Sequence, residues 1–297
     1  MLKLIMKILK TKGATVKILS DKRCIIGEGP IWNEFDNKLY YVNAWAGEIH
    51  CIDLGTKEDS LRSLGIDVAA MGFTKNGEML ISCDDGAFIL NGDNVCVPLY
   101  DRAKFEIKDG NDAKVGPDGR FYVGTVSTKR KGVGDAVDGK LYSIDKHGNV
   151  RILLDGLLLS NGFDWSMDEK RFYHTDSDTR IIKEYEFDKQ SGDIEFTGRE
   201  LYVPGVDGFT ISEADELYIA CWGRSYIAVA DIRTMTIKEY IEVPTKIPVS
   251  CAFAGEDMDK LVITSATLGV DIEKDKNAGY TFIYDTQTKG RKPYLFG

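Results

Sequence analysis

Residues 29–42 read GPIWNEFDNKLYYV, in which an apolar run, a polar turn at Asp36-Asn37 and a second apolar run follow one another. Two β-rich runs joined by an Asn- or Asp-containing turn predict a β-hairpin. The same pattern returns five more times along the chain. The apolar residues that open the six copies are Ile31, Phe73, Val115, Phe163, Phe209 and Phe253.

The spacing of the copies predicts the fold. The steps between them are 42, 42, 48, 46 and 44 residues, and a period of about 40–50 residues is typical of the four-stranded blades of a β-propeller. A further β-rich run that ends in Asp follows in several copies, as at residues 49–53 and 141–145, and long helical periodicity is absent. We therefore predict an all-β protein, a single six-bladed β-propeller domain over residues 16–297 after an N-terminal extension over residues 1–15.

Closure of such a ring requires strands from both chain ends. We expect residues 16–19 to pair with residues 292–296, which would leave no sheet edge exposed. The extension begins MLKLIMKILK, where three lysines interrupt the apolar residues and no small-residue cleavage site follows. This pattern favours a short added helix or strand over an export signal, so we expect a cytoplasmic protein.

Composition excludes several classes of protein. The 297 residues are 43% hydrophobic and 29% charged, which is typical of globular rather than disordered chains. The net charge of −9 argues against nucleic acid as a partner, and no apolar run approaches the ~18 residues of a membrane span. The six scattered cysteines form no CxxC pair and are expected to be reduced core residues. The sequence gives no guide to oligomeric state.

Polar side chains stand two to four residues before the opening apolar residue in four of the copies. The innermost strand of each propeller blade lines the central channel, so these side chains should meet near the axis. They are Glu28, Asn111 with Asp112, Asn161 and Asp207. A set of oxygen ligands without His or Cys suits Ca²⁺ better than zinc or copper. Asn and Asp also form turns without any ligand, whereas Glu28, between Gly27 and Gly29, is a poor turn residue.

Four motifs resemble one family. They are GEGPIW at residues 27–32, NDAK with PDGR at 111–120, SNG at 160–162, and DG at 207–208 followed by ACWG at 220–223. In this order and spacing the chain resembles the senescence-marker-protein/gluconolactonase/luciferin-regenerating family from about residue 16 to residue 297. The resemblance implies a six-bladed propeller that hydrolyses sugar lactones or related esters with a divalent metal in its channel. Ca²⁺ is favoured, with Zn²⁺, Mn²⁺ and Mg²⁺ left open.

The resemblance also implies residue roles. Glu28, Asn161 and Asp207 would ligate the metal, Asp207 would act as general base or orient the attacking water, and Asn111 would contact the substrate. Two positions depart from the family. Asp109 stands where regucalcin-like lactonases carry an Arg that binds sugar hydroxyls, and Lys129 stands where they carry a substrate-binding Glu. Both charges are inverted, so the lactone or ester that serves as substrate is not specified.

A second class of function stays open at this stage. Propellers also serve as scaffolds, and the inverted charges at Asp109 and Lys129 are compatible with a non-catalytic calcium-binding or interaction module. The absence of the WD repeat pattern of scaffold propellers argues against this alternative. No Gly-x-Ser-x-Gly motif indicates a serine nucleophile.

Overall fold

The computed structural model describes residues 15–92 and 95–297 as six four-stranded antiparallel sheets. Blades 1 to 5 each use four consecutive strands, and blade 6 combines the last three strands with the first. The strands are β1 (Lys17–Ser20), β2 (Gly27–Asn33), β3 (Lys38–Asn43), β4 (Glu48–Ile52), β5 (Asp59–Ser63), β6 (Ala70–Phe73), β7 (Met79–Cys83), β8 (Gly86–Leu90), β9 (Cys96–Pro98), β10 (Gly110–Val115), β11 (Phe121–Thr125), β12 (Gly139–Ile144), β13 (Val150–Leu157), β14 (Ser160–Trp165), β15 (Arg171–Asp176), β16 (Ile181–Phe187), β17 (Ile194–Tyr202), β18 (Val206–Ile211), β19 (Glu216–Cys221), β20 (Tyr226–Asp231), β21 (Thr236–Glu242), β22 (Pro248–Ala254), β23 (Lys260–Ser265) and β24 (Thr281–Asp285).

The innermost strands of neighbouring blades pack side by side and close a ring: β2, β6, β10, β14, β18 and β22. This arrangement confirms the predicted all-β, six-bladed propeller. Helical structure in the described residues is limited to a 3-10 turn (Ala44–Ala46) and to α1 (Thr128–Lys131). The boundary predicted near residue 15 falls largely on residues 1–14, which lie outside the described part of the chain.

The ring closes at a different place from the one that we predicted. Strand β1 supplies the outermost strand of blade 6, as expected for the N-terminal residues, but its partner is β24 rather than residues 292–296. The last residues instead run across the end of the channel. There the backbone N–H of Phe296 donates to Phe73 O at 2.9 Å and that of Gly297 donates to Gly119 O at 3.0 Å.

The turn between the first two strands of each blade has one residue in the left-handed region. The six residues, with φ between 54° and 80°, are Asn37, Gly77, Gly119, Glu169, Asp215 and Met258. Two are glycines, for which a positive φ carries no Cβ penalty, and Asn and Asp tolerate it better than most residues. The turns predicted from the sequence thus lie at the equivalent point of all six blades.

Burial falls from the channel outward. All six residues of β14 are buried, whereas the outermost strand of the same blade, β17, is largely exposed. Inner strands pack on both faces against neighbouring blades, so their apolar and aromatic residues are buried. Blade 4 provides the clearest case, with Phe163, Trp165 and Phe172 fully buried in one aromatic cluster.

A buried ion network fixes the C-terminal segment at the end of the channel where the inner strands finish. Arg291 bonds the Asp164 carboxylate and donates to Trp165 O at 2.7 Å. Lys114 lies 3.3 Å from the other oxygen of Asp164. A small cavity of about 70 Å³ remains beside this network, so we place the ligand-sized opening at the opposite end.

All six cysteines are free thiols, and four of them, Cys24, Cys83, Cys221 and Cys251, are buried, in agreement with the sequence analysis. Over residues 15–92 and 95–297, no helix has the length and apolar composition needed to cross a bilayer. The cytoplasmic localisation stays a prediction.

Candidate active site

Irregular pairing at the start of the inner strands brings the polar side chains to one place. In five of the six blades the pairing register between the first and second strands shifts within the first few residues of the inner strand. A β-bulge of this kind redirects side chains and is frequent beside active sites. The shifts begin at or flank Glu28, Asn111 with Asp112, Asn161 and Asp207. The exception, β6, carries no polar candidate.

Glycine follows three of these side chains and lets the inner strands approach closely. A Cβ at Gly162 would lie 2.6 Å from Cδ1 of Phe209, and one at Gly208 would lie 2.7 Å from the Cβ of Ser250. Gly29 has φ of +52°, a conformation that glycine adopts without strain. At the Glu-Gly, Asn-Gly and Asp-Gly pairs the neighbouring inner strands are therefore in contact, which makes the ring narrow at this level.

A cavity of about 700 Å³ opens above this narrow part, at the end of the channel where the inner strands begin. This volume is within the usual range for sites that hold small molecules. Glu28, Asn111, Asn161 and Asp207 all line it. Most of the remaining wall consists of Trp45, Asp67, Asp84, Asp109, Arg130, Lys131, Asp178 and Trp222 with several aliphatic residues.

The carboxyl groups of Glu28 and Asp207, at the base of this cavity, and of Asp112, which lines the small cavity on the other side, repel one another. Burial and then the charges of Asp207 and Asp112 raise the pKa of Glu28 well above its usual value. Burial and Asp112 likewise raise the pKa of Asp207 to about 8, although a hydrogen bond from Asn161 acts in the opposite direction. Burial raises the pKa of Asp112 to about 6 against the influence of Lys114. A positive charge placed among them would relieve this repulsion.

The hydrogen bonding of Asn161 indicates whether a cation fits among these carboxyl groups. The side chain is 4% exposed; its Nδ2 donates to Oδ1 of Asp207, and its Oδ1 is buried without a hydrogen-bond partner in the described structure. An orphaned buried amide oxygen is costly, and here it lies with two carboxylates. In the described residues no group of three or more His, Cys, Asp or Glu side chains has metal-binding geometry, so the set depends on the Asn oxygen. Such mixed oxygen donors suit a hard divalent cation.

A buried histidine on the neighbouring strand contacts the residue before Asn161. His174, in β15, lies with Nε2 2.9 Å from Oγ of Ser160, the residue before Asn161. Burial lowers the pKa of His174 to about 3, so the ring is neutral. The carbonyl of Ser160 also accepts from Nδ2 of Asn111 at 3.0 Å. His174 does not line the cavity and thus has a packing role.

The chain matches a known family of proteins. Residues 26–267 match the family model described as the SMP-30/gluconolactonase/LRE-like region. Regucalcin of Danio rerio is 31% identical, over 91% of this chain and 94% of its own. The pentonolactonase of Haloferax volcanii is 28% identical, over 85% of each chain.

The chain belongs to the SMP-30/gluconolactonase/LRE-like family. Among solved structures, a calcium-binding regucalcin from Agrobacterium tumefaciens superposes with a TM-score of 0.85 at 23% identity, covering 96% of this chain and 98% of the other. At that identity the superposition establishes the propeller fold. The family resemblance read from the four motifs is therefore confirmed.

Of the three residues predicted to contact the substrate, two line the cavity and one does not. Asn111 and Asp109 line the cavity. Lys129 is exposed on α1 and is not part of the lining. Lys131, two residues further along the same helical turn, lines the cavity and bonds the Asp109 carboxylate. The Asp109 carboxylate thus pairs with Lys131 rather than with Lys129, because two residues along a helix turn the side chain by about 200°.

Arg130 was missed by the sequence analysis. Its Nε lies 3.0 Å from Oδ2 of Asp178, which belongs to the turn after β15. With the Asp109–Lys131 pair, it ties α1 to blades 3 and 4 at the cavity mouth. The run Lys129-Arg130-Lys131 was the available signal, but the orientation of a single helical turn is set by its tertiary contacts, including the Ser127 cap that accepts from the Arg130 N–H.

Proposed function

We propose that this protein is a divalent-metal-dependent hydrolase of lactones or related esters, with Ca²⁺ as the favoured ion. One observation carries the proposal: the unpartnered oxygen of Asn161 lies with the carboxylates of Glu28 and Asp207 at the base of a cavity of small-molecule size. Family membership supports the reaction class, and relatives named pentonolactonase and regucalcin fit it. The calcium-binding regucalcin from Agrobacterium tumefaciens supports the choice of ion.

Glu28, Asn161 and Asp207 would hold the ion through side-chain oxygens. A bound divalent cation supplies Lewis acidity toward a carbonyl oxygen and stabilises the negative charge that develops there. Asn161 and Asp207 are buried and Glu28 is partly buried, which would keep their oxygens in place before substrate arrives, the preorganisation that such catalysis requires.

Asp207 is assigned the role of general base. Its Oδ1 accepts from Nδ2 of Asn161, so Oδ2 is the oxygen that we expect to take a proton from the attacking water. The water oxygen forms a bond to the lactone carbonyl carbon, and the ring C–O bond then breaks. The departing ring oxygen receives the proton, and the product is an open-chain hydroxy acid.

Asn111 is assigned to the substrate. Its Nδ2 is engaged by the carbonyl of Ser160, so its Oδ1 is the atom that can accept from a substrate hydroxyl. Asp109 lies two residues before Asn111, in the turn that leads into β10. Its backbone has a φ of 55°, and its N–H donates to Asp84 O at 2.8 Å.

The test is hydrolysis of a panel of aldonolactones and aryl esters by chelator-treated protein with and without Ca²⁺, Mn²⁺, Mg²⁺ or Zn²⁺. We expect turnover that requires added metal. Asp207→Asn should lower kcat by about 10²–10⁴-fold at saturating metal, and Asn111→Ala should lower it less. The exposed Asp257→Asn, in a turn at the opposite end of the propeller, serves as the matched control.

Two results would contradict the proposal. Metal binding without hydrolysis of any panel member would favour the non-catalytic alternative. Near wild-type turnover by Asp207→Asn at saturating metal would overturn the assignment of the base while leaving the reaction class in place.

A further inference from the structure

Carboxylates dominate the charged wall of the 700 Å³ cavity. Six of the described lining residues carry a carboxyl group, namely Glu28, Asp67, Asp84, Asp109, Asp178 and Asp207. Two carry a cation, Arg130 and Lys131. With a divalent cation bound at Glu28 and Asp207, the six carboxylates still exceed the summed positive charge of the cation, Arg130 and Lys131 by two, so the wall remains acidic in the loaded protein.

Both cations are already neutralised. Lys131 bonds the Asp109 carboxylate, and the Arg130 guanidinium lies 3.0–3.1 Å from both oxygens of Asp178. An anionic group entering the cavity would have to displace one of these carboxylates to gain a cationic partner. Within the described lining there is consequently no preformed anchor for a phosphate or a carboxylate.

The wall formed by blades 1 and 2 carries the uncompensated charge. Asp67 and Asp84 are exposed at this wall, on the loops before β6 and after β7. Partial burial and then the neighbouring charges of Asp67 and Asp109 raise the pKa of Asp84, and Lys131 alone acts against them. These carboxylates are therefore close enough to act together. Beside them, Trp45 is 57% exposed and offers an indole to the same space.

We propose that Asp67 and Asp84 make this cavity selective for uncharged polyhydroxylated lactones and exclude lactones that bear a phosphate or carboxylate. The inference rests on the proposed lactone hydrolysis and specifies its substrate class. Carboxylate oxygens accept hydrogen bonds from hydroxyl groups, and the indole of Trp45 packs against the C–H surface of a ring. The same carboxylates repel an anion in a partly enclosed site, where charges interact more strongly than in bulk water.

The experiment compares D-glucono-1,5-lactone with its 6-phosphate on the metal-loaded protein at low and high ionic strength. We expect kcat/KM for the phosphate to be at least about tenfold lower at low ionic strength, with the ratio shrinking as salt screens the charges. Exclusion by size alone would not depend on salt.

The variants Asp67→Asn and Asp84→Asn keep the shape of the wall and remove its charge. Relative to kcat/KM for the neutral lactone, each should raise kcat/KM for the 6-phosphate about threefold at low ionic strength. Asp257→Asn, which removes an exposed carboxylate from the opposite end of the propeller, should leave the ratio unchanged.

The outcomes separate the two proposals. Hydrolysis of neither lactone, nor of any other, overturns the proposed function and this inference with it. Hydrolysis of both with equal kcat/KM, or a preference for the neutral lactone that neither salt nor the two Asn variants alter, overturns charge selection alone.

Discussion

The surroundings of Asp207 in the folded protein disfavour the ionised form of its carboxyl group. It is 5% exposed, and burial together with Asp112 raises its pKa from 3.8 to about 8. Glu28 lies in the same surroundings, with its pKa raised by burial and by Asp207. Each group would release its proton readily in the unfolded chain. These raised pKa values therefore lower the stability of the metal-free folded protein, and a bound cation would offset that loss.

This cost predicts a pH dependence. The unfolded chain loses the Asp207 proton near pH 3.8, whereas the folded, metal-free protein keeps it until about pH 8. The folded state binds more protons in between, so its stability falls as pH rises through this window. From pH 6 to pH 8 we expect a loss of about 2 kcal/mol, measured by urea denaturation of chelator-treated protein.

The control for this prediction is Asp207→Asn, which cannot ionise and should flatten the dependence. Added Ca²⁺ should flatten it in the wild type. Equal stability of the metal-free protein at pH 6 and pH 8 would show that the repulsion is relieved by something other than a bound cation.

At the scale of the element, the inner strand with its bulge is the unit that builds the site. In blades 1, 3, 4 and 5 the bulge turns a polar side chain toward the axis, and in blades 1, 4 and 5 the glycine after that residue allows the neighbouring strand to approach. Gly162 shows the constraint, because a Cβ there would meet Phe209 and the backbone of Asp207. Sequence reasoning identified the polar residues, but not the bulges that aim them.

Gly162→Ala tests this arrangement. We expect a loss of about 1–3 kcal/mol in the free energy of unfolding from overpacking. We also expect weaker Ca²⁺ binding by calorimetry, because Asn161 and Asp207 must shift. Gly92→Ala is the matched control, since a Cβ at Gly92 meets no atom within 4 Å. Unchanged Ca²⁺ affinity in Gly162→Ala would show that the close strand packing at this glycine does not position Asn161 and Asp207 for the ion.

At the scale of the whole molecule, the ring is closed by four residues of β1. Leu19 is 6% exposed and packs into a cluster that joins blades 1, 5 and 6, whereas its neighbour Ile18 is 45% exposed. Ser20 bonds the Asp59 carboxylate of blade 1. Strand β1 thus links the last blade to the first, and its loss would expose the edge of β24.

Leu19→Ala should therefore cost about 2–5 kcal/mol of unfolding free energy, while Ile18→Ala in the same strand should change it little. Thermal denaturation followed by circular dichroism measures both. If the two variants proved equally stable, β1 would not be contributing to closure through its buried face.

The sequence by itself determined the repeat and therefore the propeller. A blade period of 42–48 residues and the turns between runs are local properties, each set by backbone preference and alternating burial. It also placed Glu28, Asn161 and Asp207 at one end of the channel, because equivalent positions of a repeat occupy equivalent places in a ring. Their role as metal ligands stays a prediction.

Only the tertiary structure decided what depends on contacts between distant residues. It paired β1 with β24 instead of residues 292–296, since the C-terminal segment is drawn to the buried Asp164 by Arg291. It brought Lys131 rather than Lys129 to the cavity through Asp109, 22 residues away. The excess of acid on the wall arises in the same way, because Asp67 and Asp84 flank the β6–β7 hairpin of blade 2 whereas Asp178 follows β15 of blade 4, and they share one cavity only when the ring has closed.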